Sequence, residues 1–72
     1  MKPFYLYAVK DTETEKLIGG LTNPPRKFWL QKFRAQEALD KRGGRVWDRK
    51  GRVPRERLKV ITLRVEEVPD GN

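Results

Sequence analysis

The chain contains no cysteine, no histidine and no serine. Without cysteine there is no disulfide framework and no thiolate metal site. Without histidine as well, only carboxylates remain as side-chain metal ligands, which excludes nearly every zinc or iron centre. A nucleophilic triad would have to use threonine with lysine. Thr12, Thr14, Thr22 and Thr62 fall in turn-like or strand-like stretches with no recognisable base motif. Glu66 and Glu67 are adjacent carboxylates, but neighbours on a strand point to opposite faces and cannot act together on one substrate. Gly19-Gly20 and Gly43-Gly44 lack the spacing and the lysine of a phosphate-binding loop. These absences predict a protein that is not an enzyme and needs no cofactor or metal. No apolar run approaches the ~18 residues of a membrane span, so no membrane partner is expected. The opening Met1-Lys2-Pro3-Phe4 has no apolar stretch of signal-peptide length, and the expected location is the cytoplasm.

What the chain does have is charge and aromatic bulk. Its 72 residues suffice for one domain, with 36% hydrophobic and 38% charged residues and seven aromatics. So small a domain buries only about 60% of the surface of its unfolded chain. The net charge of +7 is concentrated in the middle. Residues 26–59 hold thirteen basic and four acidic side chains, a net +9, while the two ends together carry −2. Such a field bears on partners, and the partners it suits are polyanions: nucleic acid, an acidic protein surface, or both.

Residues 3–9 are aromatic-rich and bounded by the polar cluster at 11–14, which predicts a strand followed by a turn. Phe4, Leu6 and Ala8 share one face, and Tyr5, Tyr7 and Val9 the other. Residues 16–20 return as a short second strand ended by Gly19-Gly20. After the loop at 21–25 two readings are open. Asn23 could cap a long helix with Pro24 at its first position. The preferred alternative is a short strand at 27–31 and a helix over 32–42, where Ala35, Ala38 and Leu39 share a face and Gly43-Gly44 end it. In that strand Phe28 and Leu30 take the core and Trp29 faces out. Residues 43–57 hold three glycines and a proline, which predicts a mobile basic loop with a small hairpin turning at 48–51. Residues 58–68 alternate and are β-branched, the clearest strand signal in the chain, and should pair antiparallel with the first strand. The expected fold is α+β: a small antiparallel sheet of three to four strands with one short helix, in the order ββ(β)αβ. It forms one domain over 1–68 with a loose end at 69–72. The expected core is Leu6, Ala8, Ile18, Phe28, Leu30, Ala35, Ala38, Leu39, Ile61, Leu63 and Val65.

Arginine dominates the basic loop, and its planar fork suits phosphate and carboxylate recognition. The candidate partner-binding residues are Arg45, Trp47, Arg49, Lys50, Arg52, Arg55 and Arg57, with Trp29, Tyr5 and Tyr7 as further aromatic contacts. Trp and Arg dominate interface hot spots, and tyrosines on an open sheet face could stack on bases. Against each stands a structural alternative: a solvated face that keeps the domain soluble, a Trp47 folded back over the sheet, and tyrosines packed under a loop or helix.

The stretches Phe-Tyr-Leu-Tyr-Ala-Val-Lys-Asp-Thr-Glu-Thr (4–14), Arg-Lys-Phe-Trp-Leu-Gln-Lys (26–32), Arg-Ala-Gln-Glu-Ala-Leu-Asp-Lys-Arg (34–42) and Leu-Lys-Val-Ile-Thr-Leu-Arg-Val-Glu-Glu-Val (58–68) follow one another in this order. In layout, size and arginine- and valine-rich character the chain resembles the small early regulatory proteins of tailed bacteriophages. Among these it is similar to the RNA-polymerase-binding transcription regulators of Xanthomonas lytic phages. The resemblance implies a protein of the infected bacterial cell that binds host RNA polymerase near the RNA exit channel. There it inhibits initiation and acts in antitermination, by protein–protein contact and with nascent RNA or DNA phosphates nearby. Two alternatives stay open: a direct DNA- or RNA-binding domain using the basic 26–59 segment, and a phage protein aimed at another host complex. The free chain is expected to be a monomer.

Overall fold

The computed structural model describes residues 2–69. The expected loose end therefore lies, from residue 70 on, outside the described residues. The fold is α+β, as the periodicities predict. Strand β1 (Phe4–Asp11) pairs antiparallel along its whole length with strand β4 (Leu58–Val65), from Phe4 opposite Val65 to Asp11 opposite Leu58. Between them run helix α1 (Lys32–Arg42) and a small antiparallel hairpin of β2 (Trp47–Asp48) and β3 (Gly51–Arg52). Short 3-10 turns at Gly43–Arg45 and Arg55–Arg57 frame that hairpin.

The free edge of β1 is met twice, but by single bridges instead of the two further strands expected. Leu17 bridges Lys10, and the Ile18 amide donates to the Val9 carbonyl at 2.8 Å. Trp29 bridges Tyr7 through reciprocal backbone bonds of 2.9 and 2.8 Å. The prolines at 24 and 25 and the glycines at 19 and 20 interrupt the intervening backbone, and neither residue type sustains a ladder. The helix begins at Lys32, so the long-helix alternative from Asn23 is not realised. Its last turn carries Lys41 and Arg42, which complement the negative end of the helix dipole.

Gly43 does not end the helix by adopting left-handed geometry. It keeps right-handed φ and ψ of −59° and −24°. It is glycine because the space is taken: a Cβ there would lie 2.9 Å from Arg55 Cδ and 3.0 Å from Leu39 Cδ1.

The helix covers one face of the sheet. The core comprises Val9, Leu21, Trp29, Ala35, Leu39, Val46, Val53 and Leu58, with Tyr7, Ile18, Ala38 and Val60 packed against it. On β1 these are the odd-numbered residues and on β4 the even-numbered ones. The face chosen is the opposite of the one expected. Trp29, expected to face out, is 4% exposed, whereas Phe28 and Leu30, expected in the core, are 44% and 75% exposed. The bridge to Tyr7 holds Trp29 at the core, and its two neighbours are left exposed on either side. Leu6, Ala8, Ile61, Leu63 and Val65 share the sheet face away from the helix. Ala8 is nonetheless fully buried.

Candidate partner-binding surface

Residues 43–57 are not structureless. Val46 and Val53 are buried in the core, and the Val53 amide donates to the Val46 carbonyl at 2.8 Å. Alternation then sends Trp47 and Arg52, which face each other across the hairpin, to the side away from the core. The tip is formed by the Asp48 carboxylate, which accepts the Lys50 amide at 2.8 Å, and by Gly51 at φ 122°. That φ lies where a side chain is strained, so glycine is required to close the turn. The result is an arm, residues 46–53, rooted by two valines.

The cations proposed from the sequence separate into two groups. Arg57 is spent inside the molecule. Its guanidinium donates through Nε and Nη2 to both oxygens of buried Asp11 at 3.1 and 2.5 Å. It also lies 3.3 Å from Glu13 and 3.6 Å from Asp48. Asp11 accepts the backbone amides of Glu13 and Thr14 as well. The Arg57 hydrogen bond, with help from those amides, holds the Asp11 carboxyl below the usual carboxylate range, against the opposing effect of burial. Arg55 is likewise engaged, 2.8 Å from Asp40 of α1. These two arginines fix the base of the arm to β1 and to the helix.

Arg45, Arg49, Lys50 and Arg52 are exposed, and among the described residues none has a carboxylate within ion-pair distance. Trp47 is 67% exposed, with the Arg52 guanidinium 5.9 Å from its ring centre. The alternative of a tryptophan folded over the sheet is therefore not what the structure shows. Trp29 lies in the core and Tyr7 packs half-buried against it. Tyr5 is exposed on the helix side of β1, about 20 Å along the strand from Asp11, where the arm is tied down. The structure thus brings together Arg45, Trp47, Arg49, Lys50 and Arg52, and not the remaining candidates.

A second basic feature was not singled out from the sequence. Between the 21–26 loop and α1 lies an open cleft of about 320 Å³. Its lining combines apolar Leu21, Pro24 and Trp29 with the cations Arg26, Arg34, Lys41 and Arg42. Glu37 is the one acid there, bound to Lys41 at 2.9 Å, and this contact holds its carboxyl below the usual range. The signal was present in the spacing, since residues 34, 38, 41 and 42 recur on one helical face. Next to the cleft Phe33 is exposed, with the Arg34 guanidinium 5.5 Å from its ring centre.

Compared with family models, curated proteins and solved structures, the chain matches none.

Proposed function

We propose that this chain is a regulator that acts by binding, without chemistry, and that its partner is host RNA polymerase, whose initiation or termination it alters. The observation that carries the binding reading is the arm. Trp47, with the Arg52 guanidinium over its ring, stands in water on a hairpin whose root valines are locked in the core. Tryptophan and arginine are the residues that most often dominate an interface. A hairpin held in shape before contact loses little conformational freedom on binding. The exposed cations around Trp47 suit an acidic protein surface. The resemblance to phage transcription regulators supports the choice of polymerase, because an RNA exit channel offers both acidic protein and emerging RNA.

One observation favours a second reading. The cationic lining of the α1 cleft, flanked by Phe33 and Arg34, suits a phosphate backbone with a base stacked beside it. The two readings differ in their response to salt. Each phosphate contact contributes about −0.9 to the slope of log affinity against log salt, whereas an interface anchored by desolvated aromatics depends on salt less.

The deciding experiment is binding to purified bacterial RNA polymerase, with and without nuclease treatment, across a salt series. Nuclease-resistant binding that Trp47→Ala weakens by about 2 kcal/mol or more, and that the Arg49, Lys50 and Arg52 triple alanine variant also weakens, is the expected outcome. Binding that nuclease abolishes transfers the function to nucleic acid. Affinity unchanged in both variants, with the fold intact, removes the arm from the mechanism.

A further inference from the structure

The sheet has a second face, turned away from α1. Across β1 and β4 it presents Phe4, Leu6 and Ala8 against Val65, Leu63 and Ile61. Phe28 and Leu30, exposed on either side of the bridge at Trp29, extend it at the free edge of β1, where they also line an open cleft with Arg26 and Arg34. None of these residues belongs to the helix-side core. Phe4, Phe28 and Leu30, at 50%, 44% and 75% exposure, alone leave on the order of 300–400 Å² of apolar surface in water. That already matches the largest patch of a typical monomer, about 300–600 Å². The half-buried Leu6, Ile61, Leu63 and Val65 add to it, short of the ~800 Å² per partner of a standard interface, as suits a weak, reversible dimer.

We infer that this face is the interface of a symmetric homodimer, in which two copies pack sheet against sheet. Composition argues for a second copy. The centre of the face carries no charge, which suits neither a polyanion nor an acidic protein, and homodimer interfaces are the most apolar class. Self-complementarity argues for it too. A two-fold axis lying across the strands at Leu6 and Leu63 sets β4 of one copy antiparallel over β4 of the other. Leu63 then meets Leu63 of the second copy, Ile61 meets its Val65, and bulky Phe4 lies over its small Ala8. Lys59, at one end of the face, comes opposite Glu67 of the second copy, two residues beyond the end of β4. Lys10 comes near Lys2 of the second copy, but its charge is offset by Glu15 at 2.8 Å. The twist of each sheet rotates such a stack by about 30° without changing which residues meet.

The dimer is independent of the arm, and its salt response differs from that of polyanion binding. Two bodies of charge +7 repel, so added salt strengthens the dimer while weakening phosphate contacts.

The test is sedimentation equilibrium of the full chain at low and high salt. The expected result is reversible dimerisation with a Kd of about 1–100 µM, in the range of a small interface, tightening with salt. Leu63→Lys and Leu30→Lys each place two like charges in the interface and weaken association by about tenfold or more. Leu30 is mostly exposed, so its variant keeps the fold, as circular dichroism will verify, and removes unfolding as an explanation. Lys59→Glu weakens the dimer and Lys59→Glu with Glu67→Lys restores it. A chain that stays monomeric throughout overturns the inference, as does a dimer indifferent to Leu30→Lys or one lost instead with Trp47→Ala. Burial of this face by added RNA polymerase or oligonucleotide in a monomeric chain, seen by hydrogen exchange on β1 and β4, assigns it to that partner and overturns the dimer.

Discussion

Replacing Trp29 and its two neighbours one at a time tests which face of the sheet forms the core. Trp29 is 4% exposed, against Tyr7 and Leu21 under the helix. Truncating a buried tryptophan to alanine costs about 3–5 kcal/mol. A 72-residue domain at about 0.05–0.15 kcal/mol per residue is stable by roughly 4–11 kcal/mol in total. Trp29→Ala therefore removes about a quarter or more of the stability, and in the weaker part of that range it unfolds the chain. Phe28, nearly half exposed, gives up about 1–2 kcal/mol as alanine, a fraction of the fully buried cost. Leu30, three-quarters exposed, stays within about 0.5 kcal/mol. The assay is urea unfolding followed by circular dichroism, at concentrations too low for self-association. With a slope near 1 kcal/mol per molar urea, Trp29→Ala lowers the midpoint by about 3–5 M, where the chain still folds, and Leu30→Ala hardly moves it. The reverse order, with Phe28→Ala or Leu30→Ala costing more than Trp29→Ala, would mean that the strand pairs one residue out of register, which inverts every side chain. That result would refute both the face assignment and the dimer built on it.

Asp11 gives the domain an acid limit. Its carboxyl is held below the usual range by Arg57 and by the amides of Glu13 and Thr14, so its folded pKa is the lower one. Stability from this site is complete above the unfolded pKa and disappears as pH falls through the folded value. Urea midpoints should drop below about pH 4, and Asp11→Asn, less stable at neutral pH, should show a shallower decline. The glycine pair offers a contrast of sign. At Gly44 an added methyl would meet nothing within 4 Å, and the backbone is not left-handed, so Gly44→Ala should gain about 0.5–1 kcal/mol. Gly43→Ala meets the fixed Leu39 side chain and should lose about 1–2 kcal/mol in the same unfolding assay. Equal effects at the two positions would show that Leu39 yields. Trp47→Ala should leave the unfolding midpoint unchanged within about 0.5 kcal/mol, since Trp47 is exposed on the arm.

Most of the architecture was legible where periodicity is strong. The helix at 32–42, the alternating strand from 58 (which stops at 65, short of the expected 68), its pairing with the first strand and the turn at 48–51 all follow from local pattern. The choice of sheet face did not. Tyr7, Val9, Leu58 and Val60 are as apolar as Leu6, Ala8, Ile61 and Leu63, and alternation says which residues share a face, not which face a helix covers. The conspicuous Ile61, Leu63 and Val65 drew the core to the wrong side. The candidate surface was legible as a cluster of cations but not as a geometry. Arg57 finds Asp11 across 46 positions of sequence and Arg55 finds Asp40 across 15. No local pattern shows that these two arginines are already occupied, or that Val46 and Val53 anchor the segment between them.

The rooting of the arm by Val46 and Val53 separates two kinds of selection on one short stretch of chain. Substitutions at the two valines are judged by folding, because both lie in the core. Substitutions at 49 and 50 leave the core untouched and are judged only by what the tip meets. A scaffold divided in this way can follow a changing target: the tip diversifies under pressure from the partner while the body is conserved. The same division makes residues 47–52 a cassette into which other short recognition sequences can be exchanged, provided that Asp48 and a glycine at 51 are kept to close the turn.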